Sequence, residues 1–206
     1  MQESLFESAP LRRDLGDGAW LELRTGWLPD PDDVFTTLRD EVPWVGERRR
    51  MYDRVVDTPR LLKFYDSGAT LPHPALAEMR DELSRLYWDD LHEPLTSVGL
   101  CLYRDGSDSV AWHGDTIGRG ATHDTVVAIV SLGAARPFLL RPRSRGTRDA
   151  HGSGTRFGAR STKLTISHGD LLVMGGSCQR TWEHAVPKVS GTGPRISIQF
   201  RPRGVR

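Results

Sequence analysis

The sequence predicts an α+β chain, a jelly-roll β-sandwich backed by helices from its N-terminal part. Three observations carry this. Two stretches before Pro94 place apolar residues at helical spacing: Val34, Phe35 and Leu38, then Leu76, Met79, Leu83, Leu86 and Tyr87. After Pro94 the pattern changes to short alternating runs broken by turn residues. Helices first and strands afterwards is the order of a sheet sandwich with its helices segregated to one side. A chain of 206 residues with 37% hydrophobic residues can bury one core, and no internal repeat divides it.

Ala19–Leu23 alternates and reads as a short strand. Asp30 stands as an N-cap, with Pro31 at the first helical position and Asp32 and Asp33 in the first turn, so a helix runs to about Glu41 and Pro43 ends it. Glu47–Arg50 reads as a charged turn into a strand over Met51–Val56. Its three arginines, Arg48–Arg50, are a solvated charge run or a phosphate contact. Asp66–Pro74, rich in Gly and Pro, is loop, and a second helix extends from Pro74 to about Asp90. Eight strands are then expected: Ser97–Tyr103, Ser109–Trp112, Thr125–Leu132, Pro137–Leu140, Lys163–Ser167, Leu171–Met174, Thr181–Ala185 and Arg195–Phe200. Arg141–Ser161, with arginines among glycines and serines, is a loop that contacts a polyanion or else is disordered.

Composition excludes several classes. No run approaches the ~18 apolar residues of a membrane helix, and the acidic N-terminus has no signal-peptide pattern. Cys101 and Cys178 are the only cysteines, which fits a reducing cytoplasm better than a disulfide scaffold. Net charge is +1 but uneven: from Arg136 onward 14 Lys/Arg face 3 Asp/Glu, a balance of +11, and the residues before carry 14 against 24, a balance of −10. Such asymmetry fits nucleic-acid contact, or two halves that neutralise one another across the fold.

The chemistry concentrates at Trp112-His113-Gly114-Asp115. In an extended segment His113 and Asp115 point to one face, and His184 is the best third ligand from far along the chain. Two histidines and a carboxylate leave the opposite positions open, the arrangement of non-haem Fe(II) oxygenases; the plainer alternative is a surface His–Asp pair. Arg195 and Arg201 share a face with Ser197 and Gln199 on an alternating C-terminal segment, and two inward guanidiniums call for an anion. The other histidines fit structural roles, His168 through turn hydrogen bonds.

Together Tyr103, His113-Gly114-Asp115, Ser131-Leu132-Gly133, Phe138, His168-Gly169-Asp170, His184 and Arg195…Arg201 resemble, in order and spacing, the AlkB family of Fe(II)- and 2-oxoglutarate-dependent nucleic-acid demethylases. The resemblance spans about Val98 to Arg201 and implies a double-stranded β-helix. It implies iron ligation by His113, Asp115 and His184, 2-oxoglutarate held by Tyr103 and Arg195, and Arg201 closing the far side of the site. It further implies dioxygen as the oxidant and alkylated DNA, or RNA, as partner. On this basis 1–206 is one oxygenase domain, with helices and a nucleotide-recognition lid in 1–96 and the catalytic jelly roll in 97–206. A monomer without membrane contact is expected.

Three positions depart from the family. Cys101 and Ser197 stand where asparagines are usual, replacing amide contacts near the co-substrate with weaker ones. Ile117 stands where many members carry an acid that accepts from a base's amino group. A flipped base needs flat partners, and Tyr52, Phe64, Tyr65 and Trp112 are the candidates, with Arg143 and Arg145 for phosphate. Two other readings stay open: the same oxygenase chemistry on RNA, protein or a small molecule, and a non-catalytic nucleic-acid-binding module on this fold.

Overall fold

Strand alternation sorts apolar side chains onto both faces of one large sheet, and that sheet positions everything else. The computed structural model describes residues 11–51, 54–143 and 161–205. Its strands are β1 (Leu11–Gly16), β2 (Ala19–Arg24), β3 (Val45–Met51), β4 (Arg54–Tyr65), β5 (Leu95–Tyr103), β6 (Val110–His113), β7 (Val127–Gly133), β8 (Arg136–Pro142), β9 (Thr162–Ile166), β10 (Leu171–Gly176), β11 (Trp182–Val186) and β12 (Arg195–Pro202). Helices α1 (Pro31–Glu41) and α2 (Pro74–Leu86) are accompanied by two single turns, α3 (Trp88–Leu91) and α4 (Cys178–Thr181). The eight-stranded sheet has the order β1-β2-β10-β7-β12-β5-β4-β3, and a four-stranded sheet, β6-β11-β8-β9, faces it. Every expected strand after Pro94 forms, and the jelly roll stands.

The large sheet is buried on both sides. On its outer face Val98, Leu100, Ala128, Val130, Ile196, Ile198 and Phe200 pack under Val34 and Leu38 of α1 and Leu76, Met79 and Leu83 of α2. On its inner face Cys101, Tyr103, Val127, Ile129, Leu172 and Met174 meet Phe138, Leu140, Ile166 and Trp182 of the small sheet. The β12 residues that alternate with the outer apolar set therefore point between the sheets: Arg195, Ser197, Gln199 and Arg201.

Several local expectations are corrected. Glu47–Arg50 is strand, not turn: it lies in β3, with Arg48 opposite Asp57 and Arg49 opposite Val56. Charged residues suit this position, because β3 is a sheet edge and cross-strand pairing outweighs local preference. The single strand expected over Met51–Val56 is divided between two: Met51 ends β3 and pairs with Arg54 at the start of β4, a long strand whose Leu62 pairs with Cys101. Asp30 takes the N-cap position of α1 but its side chain caps nothing: it sits at φ 47°, in the left-handed region that Asp enters more readily than most residues. The acids of that first turn instead bind histidines, Asp32 to His168 Nε2 at 3.0 Å and Asp33 to His73 Nε2 at 3.1 Å. The other nitrogen of His168 accepts from Gly133 N at 2.8 Å, so this histidine is structural as expected. The second helix does not run unbroken to Asp90: it is interrupted at Tyr87, at φ −110° and ψ 22°, and resumes for the single turn α3; the buried Tyr87 phenol donates to Glu22 at 2.8 Å.

Candidate metal centre and the adjoining pocket

His113 ends β6 and His184 lies mid-β11, and the two residues are direct partners across these antiparallel strands. That register sets the imidazoles side by side, ring centroids 4.3 Å apart, between the two sheets. Asp115 follows His113 past Gly114, and one ligand atom from each of the three lies within 4.8 Å of the others, a group that could hold a metal ion. Glycine is required between them: a Cβ on Gly114 would stand 2.6 Å from the Gln179 carbonyl oxygen and 3.2 Å from that of Trp182.

Surrounding groups hold each side chain. His113 Nδ1 donates to the Ala111 carbonyl at 2.8 Å, since a carbonyl only accepts, and Nε2 is the ring nitrogen left for a metal. The His184 ring stacks on Phe138 at 5.3 Å. Burial, the adjacent His113 and the Arg201 and Arg60 guanidiniums push its pKa down to about 3 against the pull of Asp115, so it is neutral. The Asp115 amide donates to Gln179 Oε1 at 3.0 Å, and Arg201 Nε donates to Asp115 Oδ2 at 2.8 Å. Burial alone would raise the Asp115 carboxyl, but the Arg201 guanidinium and the two imidazoles together outweigh it and the pKa falls to about 2. A neutral His184 imidazole beside the ionised Asp115 carboxylate is the protonation state that binds a cation.

A pocket continues from these residues along the inner face of β12 to Arg195. Arg195 is buried, donates through Nε to Ser131 Oγ at 2.9 Å, and its Nη1 has no hydrogen-bond partner among the described residues. Its guanidinium lies 5.2 Å from the centroid of the Tyr103 ring, and burial holds that phenol protonated, with its pKa pushed up to about 12. Between the two arginines, Ser197 and Cys101 are cross-strand partners. Gln199 Nε2 donates to Ser197 Oγ at 2.8 Å and to Cys101 Sγ at 3.3 Å.

The structure thus gathers His113, Asp115, His184, Tyr103, Arg195, Arg201, Cys101 and Ser197 around one pocket. It does not gather all the residues considered for substrate. Trp112 points to the outside of the small sheet, where Arg141 stacks on it at 4.1 Å and pairs with Glu183 at 2.9 Å. Arg143 joins Glu183 at 3.6 Å on that outer surface. Tyr65 packs toward the helix-side core, and Ile117, 67% exposed, is absent from the pocket lining. Tyr52 and Arg145 lie outside the described residues, as does most of Arg141–Ser161. Arg60 in the pocket wall and Gln179 behind Asp115 carried no usable signal in the sequence, and parity alone marked Gln199. Strand parity would have chosen Phe64 over Tyr65 once Leu62 was known to face inward.

The sequence profile of the 2OG-Fe(II) oxygenase superfamily matches residues 60–201. Among curated proteins, the chain is 32% identical to the DNA oxidative demethylase ALKBH2 of Arabidopsis thaliana, over 94% of this chain and 70% of that one. It is 30% identical to the alpha-ketoglutarate-dependent dioxygenase alkB homolog 3 of Bos taurus, over 86% of this chain. It spans 65% of the length of that relative. Two solved structures share the fold: OsALKBH1, with a TM-score of 0.57 and 16% identity over 92% of this chain and 100% of that one, and the non-heme alpha ketoglutarate dependent epimerase SnoN, with 0.60 and 18% over 88% and 77%. A chain that carries the oxygenase profile from Arg60 to Arg201 and aligns with these relatives over most of its length belongs to the 2OG-Fe(II) oxygenase superfamily and, within it, to the AlkB family.

Proposed function

We propose that the chain is an Fe(II)- and 2-oxoglutarate-dependent dioxygenase that demethylates alkylated nucleic-acid bases, with 1-methyladenine and 3-methylcytosine in DNA as the first substrates to test. One observation carries the reading. The His113–Asp115–His184 cluster shares a pocket with a buried guanidinium, Arg195, whose Nη1 lacks a partner among the described residues. A buried unsatisfied donor on a charged group is costly, and a carboxylate would satisfy it. The two relatives named DNA oxidative demethylase and alkB homolog 3 support the nucleic-acid part.

The residues fit the groups the family uses. His113, Asp115 and His184 would hold Fe(II), His113 through Nε2 because Nδ1 is engaged by Ala111. Arg195 and the protonated Tyr103 would hold the distal carboxylate of 2-oxoglutarate. Arg201 keeps Asp115 ionised and oriented, one oxygen engaged and the other left for the metal. When bound, the iron, 2-oxoglutarate and dioxygen supply the oxidation, which yields succinate, carbon dioxide and formaldehyde from the N-methyl group. Phe64, 57% exposed and part of the pocket lining, offers a flat apolar face at the open side, and Arg60 beside it on β4 adds positive charge. A base flipped out of a duplex would be received there.

No helix among the described residues is long and apolar enough to cross a membrane. The two buried free thiols, Cys101 and Cys178, support a reducing compartment such as the cytoplasm, and a monomer is the state we propose. The test is release of formaldehyde and succinate from methylated single- and double-stranded oligonucleotides. Coupled release that is lost in His113→Ala, Asp115→Ala and His184→Ala is the expected result. Succinate without formaldehyde from any methylated oligonucleotide would move the substrate to another class, and absence of both would end the oxygenase reading.

A further inference from the structure

Gln199 is the one side-chain amide among the described residues lining the pocket. It is 8% exposed and lies on β12 between the two arginines, two residues from Arg201 and four from Arg195. Its cross-strand neighbours are Gly99 on β5 and Ile129 on β7. Gly99 matters for its emptiness: a Cβ there would stand 2.9 Å from Gln199 Oε1, 3.0 Å from Arg201 Nη1 and 3.1 Å from Phe64 Cε1. The missing side chain lets these three groups converge. The amide nitrogen donates to Ser197 Oγ at 2.8 Å and to Cys101 Sγ at 3.3 Å, and Cys101 Sγ also lies 3.7 Å from Oε1. One amide therefore reaches from the metal end of the pocket to the pair Ser197–Cys101, halfway to the Arg195 anchor.

The chemistry of that pair explains the arrangement. A hydroxyl and a thiol are small, and neither presents a fixed donor and acceptor together, as an amide does. Both are engaged by Gln199, so the polar character of this stretch of the pocket is set by residue 199 rather than by residues 101 and 197. We propose that Gln199 is the residue that orients 2-oxoglutarate between Arg195 and the metal, supplying from β12 the amide that positions 101 and 197 lack. The inference rests on the oxygenase reading above and deepens it. It also predicts interference: an asparagine placed at Cys101 would compete with the Gln199 amide for the same space.

The test is 2-oxoglutarate binding by titration calorimetry with Mn(II) in place of iron, which needs no turnover. Gln199→Met keeps length and removes both polar atoms. It should weaken 2-oxoglutarate binding tenfold or more, by about the loss of one hydrogen bond to a charged group, while Mn(II) binding alone is unchanged. Cys101→Asn in the wild-type background should fail to tighten binding, whereas Cys101→Asn combined with Gln199→Met should recover most of the loss. Gln199→Glu gives a second route should the Met variant not fold: a carboxylate facing a dicarboxylate should weaken binding more than tenfold. Unchanged affinity in a folded Gln199→Met or Gln199→Glu protein, with Arg195→Lys weakened, would overturn the role of Gln199 alone. Equal tightening by Cys101→Asn with and without Gln199 would also overturn it, since the two positions would then be independent. No 2-oxoglutarate binding by wild type, or full affinity in Arg195→Lys, would instead overturn the site reading on which it rests.

Discussion

At the scale of single residues, the metal centre depends on what its ligands are not free to do. Gly114 is fixed by the carbonyls of Gln179 and Trp182, which leave no room for a side chain. Gly114→Ala should displace Asp115 from the imidazoles and lower Mn(II) affinity by about 10–100-fold, the range typical of disturbing the groups that support a metal site. Electron paramagnetic resonance of Mn(II) titrations would read this directly, and wild-type affinity would mean that the segment can relax. Arg195 tests the other end of the pocket. Arg195→Lys keeps the charge but removes the planar fork and its bond to Ser131, so the apparent KM for 2-oxoglutarate should rise about tenfold or more, with kcat changed less. An unchanged KM would remove Arg195 from the co-substrate site.

At the scale of elements, β2 is tied to the end of α2 by charge. Glu22 is 3% exposed and accepts from Arg24 Nε at 2.7 Å, Tyr87 Oη at 2.8 Å and Arg12 Nε at 3.1 Å. Burial would raise its pKa, but these three donors outweigh burial and the pKa is lowered. A depressed carboxyl contributes stability that is present above its unfolded pKa, about 4.3, and is lost as pH falls through the folded value. Melting temperature should therefore drop on acidification below about pH 4.3. Glu22→Gln should cost about 1.5–3 kcal/mol at neutral pH and flatten that acid limb. An acid limb of unchanged steepness in Glu22→Gln would assign it to other carboxylates. The same cluster gives Tyr87, the last residue of the apolar stripe, a polar partner: its phenol bonds to a carboxylate 65 residues away, which no helical period encodes.

At the scale of the molecule, the basic part from Arg136 onward supplies β8, β9 and β11 of the small sheet as well as β10 and β12. Arg180 pairs with Asp124 and Arg201 with Asp115, so part of the +11 excess is already neutralised by acids from before Arg136. Replacing Arg143, Arg145 and Arg148 by Ala should still weaken binding to methylated duplex and shallow its salt dependence, by about 0.9 in log–log slope for each phosphate no longer neutralised. A wild-type slope would leave these arginines as solvating charge only.

Much of this protein is legible in the chain itself. Short apolar runs set between turn residues locate the strands after Pro94: β7 and β10, buried on both faces, read as nearly continuous apolar runs, whereas β8 and β9 alternate. Strand parity puts Arg195, Ser197, Gln199 and Arg201 on one face, and His113 with Asp115. What parity cannot encode is which face meets which neighbour. Only the pairing of β6 with β11 sets His184 opposite His113, and only the close approach of Gln179 makes Gly114 necessary. Charged β3 is a strand because β4 offers it an edge, against its own composition. In the sequence Cys101 and Ser197 read as weakened co-substrate groups; the sheet register brings Gln199 between them, and the inward-facing Leu62 puts Phe64 rather than Tyr65 at the pocket. Local sequence determines periodicity and residue chemistry; contacts between residues far apart in the chain depend on strand order and register, which are settled by the packing of the whole sheet.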